Sequence, residues 1–163
     1  MKKILIVGEA GRGKTTLAKK LSTKLNIPNY STDDFFWEIK YTKPREKEPA
    51  NKLAKNHYRK TEWIIEGTTQ WLTEPGLKDT NIIIFLNFKT IFHQWFYIIK
   101  RHFSREDESL KSMLNLLRHV FYKRHKLGYK KDSITHKDLI KPYMNKVVEL
   151  NSFKQIDNFF KNL

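Results

Sequence analysis

Residues 7–16 read VGEAGRGKTT, and this stretch decides the fold of the 163-residue chain. The apolar run ILIV precedes it at 4–7, and LAKKLSTKL follows at 17–25 with a leucine at every fourth position. Four β-forming residues in a row are typical of a strand buried on both faces of a parallel sheet, and the leucine spacing predicts an apolar stripe on a helix. The stretch is therefore predicted to be a glycine-rich turn between a buried strand and a helix.

The same stretch matches the pattern G-x-x-x-x-G-K-[ST] in the setting that this pattern requires. Such a loop points its backbone N–H groups at a polyphosphate, and the N-terminus of the following helix adds a partial positive charge. The lysine reaches the β- and γ-phosphates, and the hydroxyl holds Mg²⁺. We predict a site for ATP and Mg²⁺, the alternative being an ordinary glycine turn. The predicted ATP-binding residues are Gly8, Glu9, Ala10, Gly11, Arg12, Gly13, Lys14, Thr15 and Thr16.

The composition indicates one folded domain. Hydrophobic residues make up 39% of the chain, enough for a core at this length. Cysteine is absent, so a disulfide framework is excluded, and the histidines show no zinc-site spacing. The apolar runs fall far below the roughly 18 residues of a membrane span. We expect a single domain over 1–163, in the cytoplasm and with no membrane partner.

The charge is strongly basic, with 32 lysines and arginines against 17 acidic residues and a net charge of +15. Such a surface attracts the phosphates of nucleotides and nucleic acids, although a solvated lysine-rich surface is an equally ordinary explanation. No helix-turn-helix or RNA-binding signature accompanies the charge. We therefore expect weak, nonspecific nucleic-acid binding at most.

Strands alternate with helices along the chain. A short second strand is predicted at 28–30, buried strands at 63–65 and 82–86, and a fifth strand at 146–150. Helices are predicted at 90–103, from about 110 with an apolar stripe on one face, and from 152, where Ser152 and Gln155 have capping-box spacing. This alternation is typical of an α/β fold with a parallel sheet. Residues 38–62 are charged and contain two prolines, which favours a helical excursion over the surface.

Carboxylates follow two of these strands. STDDFFW places Asp33 and Asp34 after the second strand, and WIIEG places Glu66 with Gly67 at the end of the third. Ligands of open α/β sheets bind at the carboxyl ends of the strands, where a carboxylate can accept a substrate proton or hold Mg²⁺. The alternatives are helix capping by the aspartates and a solvent-facing charge at Glu66.

Arginines follow the fourth strand. IIKRHFSRE carries Arg101 and Arg105, and Arg118 lies on the next predicted helix. Arginine forks stabilise the negative charge that phosphoryl transfer spreads over the transferred group. A solvated basic face is the alternative for each of them.

Together these motifs resemble the small P-loop kinases, which include adenylate and shikimate kinases. The resemblance is greatest to the adenylate-kinase-like proteins labelled DNA topology modulation proteins. It rests on the glycine-rich loop, DxFFW at 33–37, WIIEG at 63–67 and the arginine pair. Relatives usually carry Asp-Gly where this chain has Glu66-Gly67. The resemblance implies a P-loop NTPase/kinase fold, with a five-stranded parallel sheet in the order 2-3-1-4-5 and helices on both faces.

The resemblance also implies an activity, namely ATP-dependent phosphotransfer to a small, nucleotide- or nucleoside-like acceptor, by a monomer or homodimer. An ATP-binding regulatory or nonspecific DNA-binding protein that affects DNA topology is the alternative. A mobile acceptor-side segment is expected at about 34–62, and a short lid at about 100–109. The implied catalytic residues are Lys14, Asp33, Arg101 and Arg105. The implied Mg²⁺ ligands are Thr15 and, through water, Asp33. The implied acceptor-binding residues are Asp34, Trp37, Glu66, Gly67 and Arg118.

Overall fold

A parallel sheet with helices on both faces forms the centre of the computed structural model, which describes residues 2–40, 42–88, 91–103, 110–124 and 135–163. Within these ranges the side chains of Ile91, His93, Tyr97, Arg101, Ser112, Lys123 and Arg124 are not described. The strands are β1 Lys3–Gly8, β2 Asn29–Ser31, β3 Trp37–Ile39, β4 Lys43–Pro44, β5 Trp63–Gly67, β6 Ile82–Leu86 and β7 Val147–Leu150. The α-helices are α1 Lys14–Leu25, α2 Thr32–Phe36, α3 Lys47–Tyr58, α4 Gln70–Thr73, α5 Ile91–His102, α6 Leu110–Arg124, α7 His136–Ile140 and α8 Phe153–Lys161, and 3₁₀ helices span Glu74–Gly76 and Lys141–Lys146.

The parallel sheet has the order β2-β5-β1-β6-β7, while β3 and β4 form a separate antiparallel hairpin. Counting only the strands of the parallel sheet, this is the predicted order 2-3-1-4-5 with the first strand in the centre. In the register of β5, Glu66 lies opposite Ile6 of β1 on one side and Ser31 of β2 on the other. The carboxyl ends of these three strands therefore meet at one edge of the sheet.

The core lies on both faces of the sheet, as the unbroken apolar run in β1 predicted. Leu5 and Val7 face a cluster that includes buried residues of α3, and Ile4 and Ile6 face the buried leucines of α1 together with Ile156 of α8. Helices on both faces of a parallel sheet are confirmed, and they fix the glycine-rich loop between β1 and α1.

The last helix begins at the predicted cap. The Ser152 hydroxyl accepts a hydrogen bond of 3.2 Å from the backbone N–H of Gln155. The Gln155 side chain in turn accepts one of 2.6 Å from the N–H of Asn151, one residue before the expected partner. This cap directs Phe153 and Ile156 toward the sheet.

The segment after β2 contains the β3–β4 hairpin, which the sequence did not predict, before α3. This helix buries Ala50, Ala54 and Tyr58 in the core, and the Tyr58 hydroxyl donates a hydrogen bond of 3.0 Å to the carbonyl of Leu72. Pro49 lies in the first turn of α3, where a helix needs no N–H donor, so it does not break the helix. Mobility of the segment at about 34–62 stays a prediction.

The helix predicted from about residue 110 is present as α6, but only part of its apolar stripe is buried. Met113 and Val120 pack with Ile98 of α5, whereas Leu110, Leu114 and Phe121 are exposed. Within the described part of the chain, no helix is long and apolar enough to cross a membrane.

Candidate active site

The glycine-rich loop leaves the sheet where β1 passes close to β6. Gly8 has a φ of 149°, and a Cβ at this position would lie only 2.5 Å from the carbonyl oxygen of Leu86. The first glycine of the motif is therefore required by the close approach of two backbones. It lets the chain turn sharply into the loop at the carboxyl edge of the sheet.

The loop is held from several sides by buried polar groups. Arg12 donates a hydrogen bond of 2.7 Å to the carbonyl of Leu86, and Gln94 of α5 donates one to the carbonyl of Ala10. On α7, His136 Nδ1 lies 3.4 Å from Glu9 Oε1. These contacts fix the loop against β6, α5 and α7, so its shape is set by the surrounding fold.

Lys14 is buried at the base of the loop, and its ammonium group donates a hydrogen bond of 3.0 Å to the carbonyl of Glu9. Burial lowers the pKa of this group from its ordinary value of 10.5. The carboxylates of Glu66 and Glu9, and more weakly Asp33, oppose that shift, while Arg12 adds to it. A desolvated cation surrounded by carboxylates is placed to bind an anion such as a phosphate.

Thr15 and Glu66 are joined directly, since the threonine hydroxyl donates a hydrogen bond of 2.9 Å to Glu66 Oε1. Glu66 is only 5% exposed and lies at the end of β5, the strand next to β1. The sequence predicted an acceptor-binding role for this residue. Its hydrogen bond to Thr15 places it beside the predicted Mg²⁺ ligand of the loop, and the acceptor-binding role stays a prediction. In the sequence, the carboxylate at the end of the strand WIIEG indicated a site residue. Its partner Thr15 is identified only by the structure, in which β5 lies beside β1.

The two aspartates after β2 differ in position. Asp33 is half-buried and lines the same pocket as Lys14 and Glu66, whereas Asp34 is exposed and lies 3.9 Å from Lys40. Neither aspartate caps α2, because the cap is the Ser31 hydroxyl, which accepts a hydrogen bond of 3.3 Å from the N–H of Asp33. The capping alternative is therefore wrong.

Gly67 brings α2 close to β5. A Cβ at this position would lie 2.1 Å from the hydroxyl of the buried Thr32, so no larger residue fits beside α2. Because Gly67 has no side chain, α2 packs closely against the end of β5. Asp33 follows Thr32 in α2 and therefore lies near the end of the strand that carries Glu66.

These groups surround one pocket of about 460 Å³. It is lined by the loop at 10–16, by Lys19 and Lys20 of α1, by Asp33, and by 66–68. The pocket brings together Ala10, Gly11, Arg12, Gly13, Lys14, Thr15, Thr16, Asp33, Glu66 and Gly67 from the predicted site. Its walls combine cations, hydroxyls and carboxylates, which suits an anionic ligand bound with a metal ion.

Three predicted acceptor-side residues lie elsewhere. Asp34 and Trp37 are not among the described residues that line the pocket, and the ring of Trp37 packs edge-on to Phe36 with centroids 4.8 Å apart. Arg118 is exposed, with its guanidinium 5.1 Å from the ring centre of Tyr122. The sequence did not predict these contacts of Trp37 and Arg118 with neighbouring rings. Arg105 and the side chain of Arg101 lie outside the described residues, as does most of the expected lid at 100–109.

The donor set fits Mg²⁺. Magnesium in phosphate-binding sites is usually held by one or two carboxylates or hydroxyls together with phosphate oxygens and water. The hydroxyl of Thr15, 2.9 Å from the buried carboxylate of Glu66, supplies hard oxygen ligands of this kind. Among the residues that the structure describes, no group of three or more His, Cys, Asp or Glu could hold a metal by itself.

Solved structures share the fold along almost the whole chain. Shikimate kinase from Bacteroides thetaiotaomicron matches with a TM-score of 0.61 and 16% identity, over 99% of this chain and 95% of the other. A gluconokinase from Sinorhizobium meliloti matches with a TM-score of 0.53 and 12% identity, over 99% and 94%. The fold is that of the small P-loop kinases.

A curated relative matches by sequence over a shorter range. The uncharacterized protein YqaC of Bacillus subtilis (strain 168) is 37% identical over 67 residues, which span 40% of this chain. The alignment spans 38% of the length of that relative.

A sequence model of the M61 glycyl aminopeptidase family matches residues 34–140. By its sequence the chain belongs to that family. The match and the fold disagree, because the matched range begins after the P-loop, and the sequence contains no His-Glu-x-x-His motif of the kind that holds zinc in metallopeptidases. The shared fold covers 99% of the chain and includes the pocket at the P-loop.

Proposed function

We propose that the protein is a P-loop kinase that transfers the γ-phosphoryl group of ATP to a hydroxyl of a small molecule. One observation carries the proposal. Lys14, the hydrogen-bonded pair Thr15 and Glu66, and Asp33 all open onto a single pocket at the carboxyl edge of the sheet. A cation for phosphate, ligands for a metal and a base for an acceptor are the parts that phosphoryl transfer needs.

The P-loop holds the triphosphate in this proposal. Its backbone N–H groups bind the phosphate oxygens, and Lys14 contacts the β- and γ-phosphates. Because Lys14 is already desolvated, its charge interacts with phosphate more strongly than that of an exposed lysine. The bound phosphate also provides the ammonium group with polar contacts that replace the water removed by burial.

Thr15 and Glu66 hold the metal side of the pocket. When bound, Mg²⁺ neutralises charge on the β- and γ-phosphate oxygens. The Thr15 hydroxyl serves as a ligand, and the carboxylate of Glu66 orients that hydroxyl or its neighbouring waters. Asp33, which lines the same pocket, joins this shell through water, as the family resemblance implies.

Asp33 positions and deprotonates the acceptor. The acceptor oxygen forms a bond to the γ-phosphorus as the bond between that phosphorus and the β–γ bridging oxygen breaks. The proton of the acceptor passes to the carboxylate of Asp33, and ADP leaves with the bridging oxygen. Arg101 and Arg105 are proposed to stabilise the charge on the transferred group, since phosphoryl transfer depends on such cations.

The acceptor is proposed to be a small hydroxyl compound, and the resemblance to adenylate-kinase-like proteins favours a nucleotide or nucleoside. The shikimate kinase and the gluconokinase that share the fold are named for other small molecules. Candidate acceptors therefore include shikimate, gluconate and other small hydroxylated compounds as well as nucleosides and nucleotides.

A panel of these acceptors tests the proposal by release of ADP. The purified protein, ATP and Mg²⁺ are incubated with each compound, and ADP is detected with a coupled assay. We expect one class of acceptor to raise ADP release well above the rate without acceptor, and Lys14→Ala to abolish the increase. Equal rates with and without every acceptor, or full activity in Lys14→Ala, would oppose the proposal.

A second candidate function is an ATP-binding regulatory or nonspecific DNA-binding protein that affects DNA topology, acting in the cytoplasm. The net charge of +15 favours it. Binding through phosphate contacts alone should weaken steeply as salt increases. Tight, sequence-selective binding of duplex DNA at about 0.15 M salt would place this function ahead of the kinase.

A further inference from the structure

Helix α5 carries large apolar side chains on the face opposite its contact with the P-loop. Its buried face includes Gln94 and Ile98, and Gln94 donates a hydrogen bond to the carbonyl of Ala10. The opposite side exposes Phe92, Phe96 and Phe103 to 76%, 59% and 83%. A helix that is apolar on both sides is usually enclosed by protein or lipid, so the exposed side of α5 indicates a surface that binds a partner.

The exposed residues form a single stripe. Phe92, Phe96, Ile99 and Phe103 follow one another at intervals of four, three and four, which places them on one line along about three helical turns. The backbone N–H of Phe103 still donates to the carbonyl of Ile99 at 3.3 Å, so the helical geometry continues to the end of the stripe. A fully exposed phenylalanine presents roughly 150–250 Å² of surface, which makes this patch comparable with the largest ones on ordinary monomers.

The neighbouring helix α6 adds exposed apolar groups. Leu110 and Leu114 are largely exposed at an interval of four, and α6 packs on α5 through Met113, Val120 and Ile98. The two helices therefore form one body that displays apolar side chains from both of its members.

The charged residues within these two helices are all basic. Neither α5 nor α6 contains an aspartate or glutamate, while together they contain six basic residues. Including the connection at 104–109, the sequence at 91–124 holds seven basic and three acidic residues. Apolar side chains beside an excess of lysine and arginine are the combination that binds the surface of an anionic bilayer.

We propose that the α5–α6 body docks on an anionic lipid surface, with the stripe Phe92, Phe96, Ile99 and Phe103 in the interfacial layer. The helices lie on the bilayer and do not cross it. A second copy of the chain is less favoured because pairing two such faces would bring like charges together. Single-stranded nucleic acid is less favoured because a base could stack only on the phenylalanines of the stripe, while Ile99, Leu110 and Leu114 offer no aromatic face.

Vesicle sedimentation with the full-length protein tests this inference. We expect binding to vesicles of equal parts phosphatidylglycerol and phosphatidylcholine that is at least about tenfold tighter than to phosphatidylcholine alone. The triple variant Phe92→Ser, Phe96→Ser, Phe103→Ser should lose at least about tenfold in affinity for the anionic vesicles. The double variant Ile39→Ser, Met144→Ser, which changes two exposed apolar residues elsewhere, should bind like the wild type.

A charge variant keeps the test valid if the triple variant does not fold, as judged by circular dichroism. Lys111→Glu with Arg118→Glu changes two exposed residues of α6 and should remove the preference for anionic vesicles. Absence of vesicle binding by the wild type would overturn the proposal. Two further results would overturn it when anionic vesicles are not bound. One is a wild-type dimer that the stripe variants dissociate, and the other is binding of single-stranded DNA that the stripe variants abolish.

Discussion

The hydroxyl of Thr15 and the carboxylate of Glu66 are joined by a hydrogen bond of 2.9 Å, although 51 positions separate them in the chain. The bond links the first turn of α1 to the end of β5, and it exists because β5 lies beside β1 in the sheet. It therefore brings a buried carboxylate beside the hydroxyl that the sequence predicts as a Mg²⁺ ligand.

Glu66→Gln should weaken the binding of Mg²⁺ without unfolding the protein, because the amide keeps the size of the side chain but loses its charge. Groups that orient a metal ligand typically change metal affinity by about 10–100-fold, and we expect the Mg²⁺ concentration for half-maximal activity to rise within that range. A magnesium titration of the kinase reaction measures it. Glu66→Asp, which keeps the negative charge, is the matched control and should stay much closer to the wild type. An unchanged Mg²⁺ dependence in Glu66→Gln would remove this residue from the metal side.

Asp33→Asn should lower turnover by about 10²-fold while leaving most ATP affinity intact, because the amide cannot accept the proton of the acceptor. Asp34→Asn is the control, since Asp34 is exposed and close to Lys40 on the surface. Steady-state kinetics with the acceptor found by the panel, together with calorimetric ATP titrations, separate turnover from binding. If Asp34→Asn proved the more damaging change, the assignment of the base would be wrong by one residue.

The affinity for ATP should fall as the pH rises through the pKa of Lys14 in the free protein. Burial places that pKa below 10.5, so the ammonium loses its proton earlier than an exposed lysine would. The stability of the free protein changes in the opposite direction. The buried charge of Lys14 costs folding free energy at low pH, and this cost disappears as the pH rises from the lowered pKa to 10.5, so the free protein becomes more stable. Calorimetric titrations from neutral pH upward measure the first effect. Lys14→Arg, which keeps its proton, should bind with much less dependence on pH, and equal slopes for both proteins would contradict this explanation.

His136→Ala should loosen the P-loop from α7. His136 is 3% exposed and lies 3.4 Å from the carboxylate of Glu9, a residue of the loop itself. Loss of a buried polar contact costs about 1–3 kcal/mol, and we expect a loss of stability of this size together with weaker ATP binding. Thermal unfolding and ATP titrations provide the two readouts. Lys137→Ala, an exposed neighbour on α7, should change neither, and identical ATP binding in both variants would show that α7 does not support the loop.

The centre of the sheet could be predicted from the sequence because β1, β5 and β6 contain unbroken runs of β-forming residues. The helix α7 was missed, although Thr135 and Asp138 carry the spacing of a capping box, since a helix of five residues has no clear apolar period. The contact between Glu66 and Thr15 and the exposure of the stripe on α5 could not be derived from the sequence. Both depend on which strand or helix lies next to them, and residue spacing along one segment does not contain that information.

Phosphorus NMR of a complete reaction tests the central claim most directly. The protein, Mg²⁺, ATP and the acceptor chosen by the panel are incubated, and the phosphorus spectrum is followed as ATP is consumed. We predict a new phosphate ester signal that grows in step with ADP and is absent in Lys14→Ala. Inorganic phosphate as the only product beside ADP, with every acceptor of the panel, would contradict the proposed phosphotransfer.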